Sequence, residues 1–75
     1  MRIAIYGKEI TPESRIYLEK LHAKFEEAKV SIYINERFNN FLIEKCDLNL
    51  QLETYTDHLS FLAIQPDILL TIGGD

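Results

Sequence analysis

The sequence predicts an α/β fold: a parallel sheet with helices packed against both of its faces. Three observations carry that expectation. Short apolar runs alternate with amphipathic helical segments, the pattern of successive βα units. The last run, Ile68-Leu69-Leu70-Thr71-Ile72, is apolar on both sides, as a central strand buried between two layers of helix would be. The first and last runs stop at glycine, at Gly7 and at Gly73-Gly74, where a strand turns into a loop.

Ile3-Ala4-Ile5-Tyr6 is short and rich in strand formers, and reads as the first strand. Thr11-Pro12-Glu13 then starts a helix. Thr11 suits the N-cap, Pro12 fits the first helical position, and Glu13 faces the positive end of the helix dipole. Leu18, Leu21, Phe25 and Ala28 follow at three- and four-residue steps and share a face. Val30, Ile32 and Ile34 alternate with more polar residues, which suggests a second strand nearer an edge of the sheet. Phe38, Phe41, Leu42 and Cys46 share a helical face and predict a second helix from Glu36 to Lys45. Leu48, Leu50 and Leu52 alternate with polar residues, as in a short extended segment. Thr56 or Asp57 caps a brief helix through Leu59, Phe61 and Leu62, and Pro66 breaks the chain before the last strand.

A chain of 75 residues makes one small domain, 1–75. Chains of this size bury only about 60% of the surface their unfolded form exposes, so stability is expected to be marginal. The formal charge of −4 and the scattering of Lys and Arg among Glu argue against a nucleic-acid partner or an anionic membrane surface, because binding a polyanion draws on clustered cations. Cys46 is the single cysteine, so neither an internal disulfide nor a cysteine-based metal site is expected, and no metal ligand is assigned. The start of the chain lacks the long apolar stretch of a secretory leader, and no run approaches a membrane span, so cytoplasm is the expected compartment.

Chemistry is concentrated at the end of the last strand. Two glycines there permit positive φ and leave no Cβ between a phosphate and the backbone N–H groups. An acid directly after them, Asp75, can accept a proton from a ligand hydroxyl or hold a divalent cation beside phosphates. Gly73, Gly74 and Asp75 are therefore the candidate nucleotide-binding residues, and Asp75 the candidate catalytic one. The competing reading is an ordinary strand-to-loop turn with a solvated aspartate.

The ending Asp67-Ile68-Leu69-Leu70-Thr71-Ile72-Gly73-Gly74-Asp75 resembles the segment leading into the Gly-Gly-Asp-Gly-Thr motif of NAD kinases. The opening Arg2-Ile3-Ala4-Ile5-Tyr6-Gly7 is similar to that family's first strand and turn, and the distance between the two fits compact bacterial members. Glu36-Arg37-Phe38-Asn39-Asn40-Phe41-Leu42 and Asp47-Leu48-Asn49-Leu50 resemble the connecting region of some of them. The resemblance spans essentially the whole chain, but only the terminal motif is specific, and three of its five residues are present.

The resemblance implies a three-layer Rossmann-like sheet, the N-terminal portion of the NAD kinase/diacylglycerol kinase-like fold, with a second, β-rich domain outside this chain. It implies transfer of the ATP γ-phosphoryl group to the 2′-hydroxyl of the adenosine ribose of NAD, giving NADP, with Asp75 as proton acceptor and a divalent metal, Mg²⁺, beside the phosphates. NAD and ATP are the implied substrates. The chain by itself is expected to be inactive. It is also expected to form a homo-oligomer, because its last strand lacks a following helix and leaves apolar surface bare.

Lipid kinases of the diacylglycerol kinase-like family share the terminal motif but usually open with an Asn-Pro-rich turn, where this chain has Gly7-Lys8-Glu9. A receiver-like signalling domain also ends a central strand in Asp, but it needs an acidic pair after the first strand, which Gly7-Lys8 does not supply. Lys8, at the same sheet edge as Asp75, is either a phosphate contact or a solvated loop lysine, and the second reading is favoured. His22 and His58 read as ordinary helix residues, Cys46 and the helical phenylalanines as core, and Tyr33 and Tyr55 as possible exposed contacts for a further domain or subunit.

Overall fold

A computed structural model describes residues 1–73. The chain runs through β1 (Arg2–Gly7), a 3₁₀ turn at Pro12–Ser14, α1 (Arg15–Ala28), β2 (Ser31–Asn35), α2 (Glu36–Lys45), β3 (Glu53–Tyr55), α3 (His58–Ile64) and β4 (Ile68–Ile72). The strands form one sheet in the order β3-β2-β1-β4, with every pairing parallel.

Register shows how the two faces are built. Ile3 lies opposite Ile32 and Ile68, and Ile5 opposite Ile34 and Leu70, so these side chains share one face. The main core forms there against Leu18 of α1, Phe38, Leu42 and Cys46 around α2, and Leu48 and Leu50 beyond it. Phe38, Ile34 and Leu42 are the largest fully buried side chains, each contributing about 1.5–3 kcal/mol of transfer free energy. On the opposite face Ala4 is completely buried, and Tyr55 packs against Phe61 of α3 with ring centroids 5.5 Å apart and planes tilted by 59°. Helices thus flank both faces of a four-stranded parallel sheet, compatible with a Rossmann-like arrangement.

The element ends follow from local chemistry. Asn35 both closes β2 and caps α2, its Oδ1 accepting the Phe38 N–H at 3.0 Å, and α2 has the bounds its apolar periodicity predicts. Asp57 caps α3 in a capping box: its Oδ1 accepts the Ser60 N–H at 2.8 Å while Ser60 Oγ accepts the Asp57 N–H at 3.0 Å. The start of α1 differs from expectation. Thr11 is extended and precedes Pro12, but a 3₁₀ turn forms first and the Thr11 hydroxyl meets Ser14 Oγ at 3.3 Å instead of capping a backbone N–H.

Four further sequence expectations are corrected. β2 lies in the interior of the sheet, between β3 and β1, not near an edge. Its polar residues Ser31 and Asn35 fall at the strand ends, and the alternating side chain Tyr33 is itself half-buried. β4 lies at the margin of the described sheet, not at its centre, with Ile68 and Leu69 45% and 52% exposed. The extended segment around Leu48 and Leu50 buries both leucines but does not pair, because Asp47 and Gln51 adopt φ of 52° and 58° and break the extended run; the strand begins only at Glu53. Tyr55 is not an exposed contact: it is 6% exposed, and its hydroxyl donates to the Ile5 carbonyl oxygen at 2.9 Å.

Candidate functional site

Parallel strands all end at the same edge of a sheet, and here that edge carries Gly7, Asn35, Tyr55 and Ile72. From β1 the chain proceeds outward through β2 and β3, and β4 then returns on the other side of β1. The direction of winding therefore reverses between β1 and β4. Open α/β sheets bind ligands outside the carboxyl ends of the strands at such a point.

Both glycines flanking this switch point are required by geometry. Gly7 pairs with Ile72, and a Cβ on Gly7 would lie 2.6 Å from Cζ of Phe38 and 2.8 Å from the Ile72 carbonyl oxygen. Gly73 has φ of +83°, and a Cβ there would lie 2.5 Å from Cγ2 of Ile10 and 3.5 Å from the Glu9 carbonyl oxygen. The turn after β4 is thus seated on the loop after β1. The positive φ is what the sequence reading of the glycine pair expects at its first member. Gly74 and Asp75, the other two predicted site residues, lie outside the described residues.

Lys8, exposed on the loop after β1, lines a cleft of about 570 Å³ at this edge, facing the first turn of α2. Gly7, Glu9, Arg37, Phe38 and Thr56 line it with Lys8. A second hollow of about 310 Å³, walled by Tyr55, Phe61, Leu69 and His58, adjoins it and shares Tyr6, Asn35 and Thr56. Gly73 opens instead onto a groove of about 400 Å³ beside α1, with Ile10, Tyr17, Leu21 and Lys24. The structure therefore brings the Gly73 turn against the β1 loop, but the groove that Gly73 lines and the cleft that Lys8 lines have no residue in common.

The remaining candidates have structural partners. Ser60, through its backbone N–H and then its hydroxyl, holds the Asp57 carboxyl below the usual carboxylate range, so Asp57 acts as a helix cap and not as the orienting partner of His58. Burial, then the neighbouring Tyr6, raises the Tyr55 phenol above its ordinary value. His22 Nε2 stands 3.3 Å from Glu26 Oε1 one helical turn away, and Cys46 is buried in the core. Among the described residues no group of three His, Cys, Asp or Glu side chains is placed to hold a metal, and no helix is long and apolar enough to cross a membrane.

Comparison with protein-family models, with curated proteins and with solved structures finds no match to this chain.

Sequence reasoning missed Arg37, Thr56 and Tyr6 as cleft residues. The available signal was positional. A residue in the first turn of a helix that follows a parallel strand directly, as Arg37 follows Asn35, sits at the carboxyl edge of the sheet. Thr56, directly after β3, satisfies the same rule.

Proposed function

We propose that this chain is the N-terminal part of an NAD kinase, which transfers the γ-phosphoryl group of ATP to the 2′-hydroxyl of the adenosine ribose of NAD. The observation that carries the reading is the glycine turn at the carboxyl end of β4, seated on the β1 loop at the switch point of a parallel sheet. It agrees with the resemblance of Gly73-Gly74-Asp75 and its preceding strand to the family motif. In this reading the ribose 2′-oxygen forms a bond to the γ-phosphorus, the bond to the ADP leaving oxygen breaks, and the hydroxyl proton passes to the Asp75 carboxylate.

Mg²⁺ fits the described residues only as an ion held largely by phosphate oxygens, since Glu9 is the single carboxylate lining the cleft among them. Its chemistry when bound is neutralisation of phosphate charge. A cytoplasmic homo-oligomer belongs to the same proposal, and the apolar margin of β4 supports the self-association.

The strand order favours this reading over a receiver-like domain. In the order typical of that class the strand after β2 lies on the far side of β1, whereas here β3 lies outside β2. The test is ATP- and Mg²⁺-dependent NADP formation by the longer parent protein. A well-folded parent that makes no NADP but phosphorylates a diacylglycerol or sphingoid base would transfer the site to the lipid-kinase branch.

A further inference from the structure

Helix α1 lines two hollows of opposite charge that have no residue in common. Glu19, His22 and Glu26 line a cleft of about 490 Å³, whereas Lys20 and Lys24 line the groove of about 400 Å³ to which Gly73 also belongs. The carboxylates have partners on the helix itself: Glu19 Oε1 stands 2.6 Å from Arg15 Nε, and Glu26 Oε1 stands 3.3 Å from His22 Nε2. Among the described residues Lys20 and Lys24 have no such partner. Both are exposed and they stand one helical turn apart, a spacing at which like charges repel. No carboxylate lines the groove among the described residues, so it is locally positive in a chain of formal charge −4.

The rest of the groove is aliphatic. Ile10, Leu18, Leu21 and Ile72 line it, and all but Leu18 are only half-buried. Tyr17 is its one aromatic residue and is 78% exposed, so no enclosed ring face is on offer to a flat base. Ser14 supplies the remaining polar side chain, and its hydroxyl already meets Thr11 Oγ1 at 3.3 Å. The volume lies within the range of small-ligand sites, about 300–1,000 Å³. An occupant matching this surface is aliphatic along most of its length and carries one anionic end. We propose that the groove binds an alkyl carboxylate of the fatty-acid class, with its chain against Ile10, Leu21 and Ile72 and its carboxylate between Lys20 and Lys24. The carboxylate offsets the repulsion between the two lysines, and the chain removes from water aliphatic surface that the fold leaves half exposed. Lysine ammonium groups act as point charges, so the end group needs no fork-like geometry. The site is independent of the NAD kinase reading, since Gly73 is the only one of its residues that belongs to that motif.

The experiment is calorimetric titration of the 75-residue chain with decanoate, decanol and acetate, each kept below the concentration at which it aggregates. A double variant, Lys20→Gln with Lys24→Gln, is titrated beside it; both positions are exposed, and far-UV circular dichroism verifies that the variant is folded. Decanoate is expected to bind at least about tenfold more tightly than decanol, which lacks the charge, or acetate, which lacks the chain. The double variant is expected to lose about tenfold in decanoate affinity and none for decanol. The chain contains no tryptophan, so Tyr17→Trp places a single reporter at the groove, and its fluorescence should shift to the blue as decanoate binds. Tyr6→Trp, outside the groove, should not respond. Absence of decanoate binding to the folded chain would overturn the proposal, as would equal affinity for decanol or a response confined to the Tyr6→Trp reporter. A folded double variant that binds decanoate as before but sediments as a weaker oligomer would also overturn it and give the groove to a second copy of the chain.

Discussion

The ring of Phe38, in the first turn of α2, fills the space that a side chain on Gly7 would need: a Cβ there would come within 2.6 Å of the ring carbon Cζ. The Ile72 carbonyl oxygen closes the other side at 2.8 Å, so neither ring rotation nor a small shift of one neighbour relieves the clash. Three elements, β1, α2 and β4, therefore meet at one glycine beneath the cleft.

Gly7→Ala is expected to destabilise the fold by about 1–3 kcal/mol, the usual penalty of overpacking a filled site. Urea denaturation followed by circular dichroism measures it. Pairing Gly7→Ala with Phe38→Leu should recover part of the loss if the ring is the main obstacle, and none if the β4 backbone dominates.

Tyr55 ties β3 to β1 through its hydrogen bond to Ile5, reaching across the intervening strand. Tyr55→Phe should cost about 0.5–1.5 kcal/mol. The phenol is raised in the folded state, so its contribution is intact below the ordinary value of 10.0 and is lost as pH rises from there through the raised folded value. Tyrosinate absorbance should show one of the four tyrosines titrating late in the folded protein, and Tyr55→Phe should remove that component.

The Asp57 cap acts at the other end of the pH scale. Its folded carboxyl is depressed, so the stabilisation is present above the ordinary value of 3.8 and disappears as pH falls through the depressed folded value. Asp57→Asn keeps a capping side chain but removes the titration. Urea midpoints measured from about pH 5 down to about pH 2 should fall less steeply in the variant. Parallel acid limbs would show that Asp57 does not supply the pH dependence.

β4 leaves Ile68 and Leu69 about half exposed at the sheet margin. Sedimentation of the 75-residue chain at rising concentration should reveal self-association, and Leu69→Lys should weaken it by placing a charge on the open strand. A strictly monomeric wild-type chain at high concentration would contradict this.

The sequence announced some of these features more clearly than others, for physical reasons. The α2 bounds were readable because Phe38, Phe41, Leu42 and Cys46 keep helical spacing, whereas its Asn35 cap emerged only in the structure. For α3 the cap was legible as Thr56 or Asp57, and the structure gives it to Asp57. Strand order was not: apolarity on both sides of Ile68–Ile72 describes side-chain chemistry but says nothing of which strand pairs alongside. The irregular path through Asp47 and Gln51 was hidden because alternating leucines look the same whether or not the backbone between them kinks. At the candidate site, Gly73 was legible as a turn glycine. The cleft was not, since Lys8, Arg37 and Thr56 are distant in sequence and converge only because three parallel strands end at one edge.

The most direct measurement is NADP formation from NAD and Mg²⁺-ATP by the full-length parent beside its Asp75→Asn variant. Clear turnover is expected in the parent, with a loss of about 10²–10⁴-fold in the variant, the span expected for removal of a general base. Near-normal turnover in a folded Asp75→Asn protein would contradict the role of Asp75, and no NADP from a folded parent would contradict the proposed reaction itself.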